Sequence, residues 1–413
     1  MTRRVVVTGM GAVTPVGNSV DEAWANLKAG VSGIGPITRF DASDMATQIA
    51  GEVKNFDAAQ LLGGKEARRL DRYTHFAMEA SRQAVENSGL LQNGANRERI
   101  GVNIGSCVGG MDSIFEQYDI LTQRGPGRVS PFAVTMLLPD TAPARVAIDF
   151  GLMGPNMCTV TACATGTNSL GEAYEIIRRG DADAMLAGGA EAALNKLIIS
   201  GFSVMKALAT CNNTPACACR PFDLNRGGFV ISEGAVVLVL EALEHAQQRD
   251  ATILAEVIGY GTSVDAFHLV APHTEGYGAA LAMRHALDSA GISPRQVDYI
   301  NAHGTGTRLN DTTETIAIKQ VFGEYAYDLA ISSTKSMTGH LFGAAGALEA
   351  MVCVKSLTDG IIPPTINYET PDPDCDLDYT TNTARAADMD IVMSNSFGLG
   401  GRNASIILKK YTP

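Results

Sequence analysis

Apolar residues along this chain follow two alternating rhythms. Continuous apolar runs at residues 4–8, 100–105, 184–187 and 236–241 read as strands buried on both faces. Between them, residues 21–29, 74–88, 169–179 and 277–290 carry apolar positions at helical spacing. The alternation predicts an α/β fold, layered with helices on both faces of its sheets. A weak internal duplication runs through it. A glycine-rich helix over 163–180 leads into the strand-like 181–189, and a helix over 340–360 precedes the strand-like 389–396. A helix over 243–249 gives way to a strand over 253–260, so the expected halves are 1–250 and 251–413.

The length of 413 residues exceeds one ordinary hydrophobic core and agrees with two packed units. Apolar residues make up 46% against 18% charged, which leaves little charged surface and suits a subunit that hides part of its surface in a partner; the expected assembly is a homodimer. The net charge of −12, with no basic domain or tail, argues against a nucleic-acid binder. No apolar run approaches the roughly 18–20 residues of a membrane span. Arg3 and Arg4 before Val5-Val6-Val7 imitate an export signal, but Gly9 and Gly11 break the run. A first strand and a cytoplasmic location are expected. Eight scattered cysteines without a C-x-x-C pair suit a reducing compartment. Cys211, Cys217 and Cys219 cluster with no histidine nearby and read as loop cysteines, not zinc ligands. Gly9-Met10-Gly11 lacks the third glycine of a dinucleotide fingerprint, since Thr14 stands there, and reads as a tight turn.

Cys163 stands where the strand-like run Thr159-Val160-Thr161-Ala162 turns into a helix. Unpaired N–H groups and the dipole of a helix start favour a thiolate. A free cysteine is more often a small buried hydrophobe. Two histidine loops move the reading toward chemistry: Asn301-Ala302-His303-Gly304-Thr305-Gly306-Thr307 and Lys335-Ser336-Met337-Thr338-Gly339-His340. Their small residues let a substrate chain approach each imidazole. One thiol and two loop-borne histidines are the inventory of a thioester-handling nucleophile.

With these blocks, Gly343-Ala344-Ala345-Gly346-Ala347 and the late loop Asn395-Ser396-Phe397-Gly398, the chain resembles β-ketoacyl-[acyl-carrier-protein] synthases of the KAS II type. These are condensing enzymes of the thiolase-like superfamily, and the resemblance covers essentially the whole chain. It implies a thiolase-like fold: two pseudo-symmetric halves in a five-layered αβαβα architecture, Cys163 in the first, His303, Lys335 and His340 in the second. It implies a decarboxylative Claisen condensation of malonyl carrier protein with an acyl group held on Cys163, elongating a fatty acyl chain by two carbons. His303 and His340 would be neutral donors to the malonyl thioester carbonyl, and the backbone N–H groups of Cys163 and Leu399 the oxyanion hole. Lys335 would be pinned by Asp311, Glu314 or Glu349 and shape the local field.

Thr305 and Thr307 would hold the phosphopantetheine arm, which arrives on the acyl carrier protein; no other cofactor is implied. Phe229, Phe397, Leu399, Val270 and Val108 would line the substrate path. Carrier proteins are acidic, so Lys65, Arg68, Arg69, Arg128 and Lys206 would form a local basic docking face. Asn301 and Glu349 match positions that hold a structural monovalent cation in some relatives; no catalytic metal is implied. Three residues depart from the family pattern. Leu399 replaces the usual aromatic gate, Val270 a frequent threonine and Ser232 a glycine, which bears on gating and chain length. A ketosynthase of a polyketide or specialised lipid pathway shares the chemistry. A thiolase needs a second cysteine that the final loop lacks, and a non-catalytic chain-length partner lacks the nucleophile.

Overall fold

The computed structural model describes residues 2–92 and 94–412; Met1 and Pro413, the ends of the two expected halves, lie outside it, as does Asn93. Ten strands form its main sheet: Val5–Val13 (β1), Ile100–Gly105 (β2), Asn156–Met157 (β3), Ala184–Glu191 (β4), Gly234–Ala242 (β5), Ala255–Val264 (β6), Tyr299–Asn301 (β7), Ala330–Ser332 (β8), Ile391–Gly398 (β9) and Arg402–Lys409 (β10). Read outward from the middle, the order is β1-β5-β4-β2-β3 on one side and β6-β10-β9-β7-β8 on the other. On each side the first two pairings are antiparallel and the last two parallel. The duplication hinted at by sequence is thus a repeat of topology. Val5–Val7 of β1 pair with residues 255–257 of β6, joining the half-sheets.

Helices complete five layers. Arg72–Ser88 (α1) and Thr141–Phe150 (α2) cover the outer face of the first half-sheet. Thr165–Arg179 (α3) lies with its counterpart Ala345–Asp359 (α6) between the half-sheets, touching strands of both. Tyr277–Ala290 (α4) and Arg308–Phe322 (α5) cover the outer face of the second. The arrangement is the expected αβαβα architecture. Among the described residues, no helix is long and apolar enough to cross a membrane.

β1 corrects the reading of its glycines. The strand runs through Gly9 and Gly11 with every residue buried. A Cβ at Gly9 would lie 2.6 Å from the Ala84 carbonyl oxygen, and one at Gly11 2.0 Å from that of Ala80. These glycines let α1 pack closely on the strand, and they make no turn.

α3 and α6 set the geometry of the turns that lead into them. Each has 15 residues and ends in a left-handed glycine, Gly180 or Gly360. Gly166 and Gly346 mark their closest approach: a Cβ at Gly166 would lie 2.7 Å from Ala347 N, and one at Gly346 2.2 Å from Thr167 Oγ1. Both N-caps are alanines, Ala164 and Ala344, and neither supplies a side-chain cap. Two residues before each N-cap stands a non-glycine residue at positive φ, Ala162 (52°) and Phe342 (47°). Each conformation costs about 1–3 kcal/mol and persists only where the surroundings enforce it. The turns also match in hydrogen bonding: Ala164 N–H donates to Thr161 and Thr165 N–H to Ala162, as Ala344 N–H does to Leu341 and Ala345 N–H to Phe342. Cys163 and Gly343 are therefore counterparts.

The nucleophile turn differs from expectation. Residues 159–162 form no strand; a Thr161–Cys163 bridge and the positive φ of Ala162 give a tight turn. Cys163 precedes the N-cap, and α3 starts two residues later, at Thr165.

Candidate active site

Cys163, His303 and His340 line one cavity of about 450 Å³. Each rides on a different piece of backbone: the turn before α3, the loop after β7, and the turn before α6. The imidazoles of His303 and His340 meet nearly at right angles, ring centroids 5.4 Å apart. Both rings are buried. Burial, reinforced by the Lys335 ammonium, holds each well below the ordinary histidine pKa, so both are neutral. Phe342 N–H donates to His340 Nδ1 (3.3 Å). The ring proton of His340 therefore sits on Nε2, which has no partner within the protein. Glu314 fixes the other loop by accepting from His303 N–H (2.8 Å) and Gly304 N–H (2.7 Å). Burial pushes its carboxyl up to about 7.

Cys163 overturns the expectation of a resting thiolate. It is buried, and desolvation pushes its thiol up to about 11. The Leu399 N–H and the Lys335 ammonium pull the other way, and burial wins. The Leu399 N–H reaches the thiol because Gly398 packs on the nucleophile turn, where a Cβ would lie 3.0 Å from Cys163 N. Leu399 opens the three-residue turn between β9 and β10, which closes with Gly400 and Gly401 at φ of 82° and 69°. That turn is tied to the 265–276 loop: Gly400 N–H donates to Leu269 O and Asp265 N–H to Gly401 O, each at 2.8 Å.

Of three candidate acids for Lys335, the structure selects Glu349; the ion pair is fully buried. Burial pushes Glu349 up to about 7 against the pull of Lys335. Asp311 instead pairs with Arg226 (3.5 Å) and accepts from Phe222 N–H (2.8 Å). Asn301 Oδ1 and Nδ2, Glu349 Oε2 and Ser394 Oγ are buried with no hydrogen-bond partner, and Asn301 and Ser394 are register partners across β7 and β9.

Thr305, Thr307, Phe229, Phe397, Leu399 and Val270 line the cavity as expected. Val108 does not; it packs in the apolar cluster that holds Cys163 and Phe229. Lys206 stands exposed on the cavity rim, whereas Lys65, Arg68, Arg69 and Arg128 are not among the lining residues. Arg69 pairs with Glu66 (2.6 Å) and lies over the Phe132 ring. Sequence reasoning passed over Phe202, Phe342, Arg308 and Glu191. Phe202 stacks on Phe342 (5.4 Å) and meets Phe229 edge-on (5.3 Å), making an apolar wall beside the thiol. Arg308 shares the rim with Lys206. Phe342 and Arg308 could have been found from their motifs, since each follows a named residue closely.

Comparisons with known proteins agree with this geometry. The chain matches the family models "Beta-ketoacyl synthase, N-terminal domain" over residues 2–246 and "Beta-ketoacyl synthase, C-terminal domain" over residues 254–369. It is 50% identical to 3-oxoacyl-[acyl-carrier-protein] synthase 2 of Synechocystis, covering 99% of this chain and 98% of that one. It is 52% identical to the protein of the same name from Staphylococcus aureus, over 99% of both. Among solved structures it resembles a chain of the AntDE:AntF complex, a type II polyketide synthase acyl-carrier protein with its ketosynthase. The two share 35% identity and a TM-score of 0.93 over 100% of both chains. A β-ketoacyl synthase of Burkholderia phymatum gives 36% and 0.92, over 99% of this chain and 100% of that one.

Proposed function

The chain belongs to the β-ketoacyl synthase family, and from that premise we propose that Cys163, His303 and His340 divide one decarboxylative condensation between them. The protein is a condensing acyltransferase of fatty acid elongation, making 3-oxoacyl carrier protein from an acyl group and malonyl carrier protein. The observation that carries the division of labour is one cavity holding a thiol and two neutral imidazoles.

Cys163 attacks the acyl thioester carbonyl; the carrier thiol leaves with a proton and the acyl group stays on sulfur. The Cys163 and Leu399 N–H groups stabilise the oxyanion of that step. His303 and His340 then donate to the malonyl thioester oxygen while carbon dioxide departs, so negative charge develops against donors already in place. The resulting carbanion attacks the acyl–Cys163 carbonyl; the new C–C bond forms as the C–S bond breaks, and Cys163 leaves as a thiolate that takes a proton from solvent to restore the thiol. Lys335, paired with Glu349, shapes the field around all three groups and moves no proton.

Thr305 and Thr307 at the cavity rim suit the phosphopantetheine arm, which the carrier protein supplies. Lys206 and Arg308 add positive charge at that rim for an acidic carrier, and Lys65, Arg68, Arg69 and Arg128, outside the cavity lining, would extend that docking face. Leu399, hydrogen-bonded through its turn to the loop of Val270, would open and close the cavity together with it. The unpartnered oxygens of Asn301, Glu349 and Ser394 fit the donor set of a structural monovalent cation. A second copy of the chain would cover the sheet edge at β3, where Val134, Ile148, Met153 and Val160 are exposed. The eight free cysteines suit the reducing cytoplasm.

The test separates the half-reactions. His303→Ala and His340→Ala should each cut carbon dioxide release from malonyl carrier protein by roughly 10²–10³, the usual worth of one oxyanion donor. Self-acylation by a labelled acyl carrier protein should suffer far less. Equal loss of both steps in both variants would refute the assignment.

A further inference from the structure

Gly343 is the counterpart of Cys163, and its N–H is already occupied. Glu191, the last residue of β4, is fully buried and, among the described residues, has no cationic partner. Its Oε1 accepts from Ser106 Oγ (2.8 Å) and Val108 N–H (3.3 Å). Its Oε2 accepts from Cys107 N–H (2.7 Å) and Gly343 N–H (3.0 Å). Three of these donors belong to the turn after β2, which lies beside the nucleophile: Cys107 Sγ is 2.9 Å from the Ala162 carbonyl oxygen. The fourth belongs to the turn before α6, next to the Phe342 N–H that sets the proton of His340. In the first half this backbone N–H serves a transient oxyanion; in the second a permanent carboxylate sits against it.

We propose that Glu191 is a positioning residue of the condensation. Its carboxylate occupies the twin of the oxyanion site, ties the wall beside Cys163 to the turn behind His340, and so sets the spacing between nucleophile and malonyl donors. The inference rests on the roles given above to Cys163 and His340. Burial raises the Glu191 carboxyl above its ordinary value, and the four donors oppose that rise and favour the ionised form. The same charge acts on the thiol. Glu191, Lys335, Cys107, His303 and His340 are the charged and titratable groups nearest Cys163, and Asp265, Lys206, Arg226 and Arg308 line the same cavity. Behind the dominant effect of burial, Lys335 draws the thiol pKa down and Glu191 raises it.

Glu191→Gln and Glu191→Asp test this together. Glutamine keeps the shape, loses the charge and turns an NH₂ group toward two donors; aspartate keeps the charge and shortens the reach. Three quantities are read: alkylation of Cys163 by iodoacetamide against pH, followed on the Cys163 peptide by mass; self-acylation; and carbon dioxide release from malonyl carrier protein. In Glu191→Gln the alkylation midpoint should fall by about half a pH unit or more. Decarboxylation should drop roughly tenfold, as for one charge-assisted hydrogen bond lost, at little changed KM. Glu191→Asp should keep the alkylation midpoint of the parent protein and still lose decarboxylation. A folded Glu191→Gln protein with the parent's midpoint and half-reactions overturns the proposal; if that variant does not fold, undiminished decarboxylation in Glu191→Asp overturns it. Should the parent protein itself release no carbon dioxide, the condensation reading fails, and the alkylation midpoint still decides for or against Glu191.

Discussion

The turn around Cys163 and the turn around Gly343 are the same backbone built twice. Each places a non-glycine residue at positive φ, the same two hydrogen bonds and an uncapped alanine ahead of a 15-residue helix. They differ in what fills the space in front. Before Cys163 lies a cavity of about 450 Å³ and the Leu399 N–H. Before Gly343 lies the carboxylate of Glu191. Reactivity therefore does not come from the strained turn. It comes from a thiol on the turn and from room for a substrate, while the twin commits the same donor to internal architecture.

Removing the chemistry from the first turn should give the largest effect. Cys163→Ala should lower self-acylation and condensation by on the order of 10⁴ or more and leave the melting temperature near that of the parent protein. A labelled acyl adduct forming at a comparable rate would break the comparison at its root. Filling the second turn comes next. In Gly343→Ala the new Cβ would lie 2.7 Å from Glu191 Oε2 and 2.9 Å from Cys107 N. A loss of about 1–3 kcal/mol in urea unfolding is expected. Unchanged stability would mean that the Glu191 side yields as the substrate side does.

A smaller effect separates the two turns by pH. His303 and His340 stay neutral well below the ordinary histidine value. Neither imidazole should therefore add an inflection to decarboxylation near pH 6.5; the groups left to titrate in that range are the Glu314 and Glu349 carboxyls, pushed up to about 7. Histidines that are neutral when folded and basic when unfolded give stability that is full above about pH 6.5 and lost on acidification, at up to about 1.4 kcal/mol per pH unit for each ring. Replacing both by glutamine should flatten that acid limb, whereas Glu191→Asp should leave it in place. The smallest effect concerns Leu399. A phenylalanine there should reduce decarboxylation of malonyl carrier protein in the absence of an acyl primer by a few-fold and narrow the range of starter chains. An unchanged starter profile in the folded variant would make Leu399 a neutral replacement.

Much of this architecture was legible in the sequence, for physical reasons that can be named. Residues 100–105 form a continuous apolar run and 277–290 a helical pattern, and the structure returns β2 and α4 with those bounds. The three reactive residues announced themselves because each sits in a glycine- and threonine-rich loop. What escaped depended on packing. Gly9 and Gly11 read as a turn because nothing in sequence tells that α1 lies against them. The thiol read as a thiolate because a helix start is local and visible, while the desolvation that outweighs it comes from both halves. Glu191 ends an otherwise apolar strand, and its four donors come from segments about 85 and 152 positions away. The choice among Asp311, Glu314 and Glu349 likewise needed three dimensions.

The glycine crossing of α3 and α6 acts as a gauge block. Both reactive turns are rigidly mounted on helices that meet at Gly166 and Gly346, so the gap between the turns is set where two methyl groups are missing. At Gly166 the facing atoms are all backbone, and at Gly346 they include the Thr167 N–H and hydroxyl, so neither position leaves room for a Cβ. This chain cannot thicken that contact by one carbon without moving the thiol away from the imidazoles it must serve.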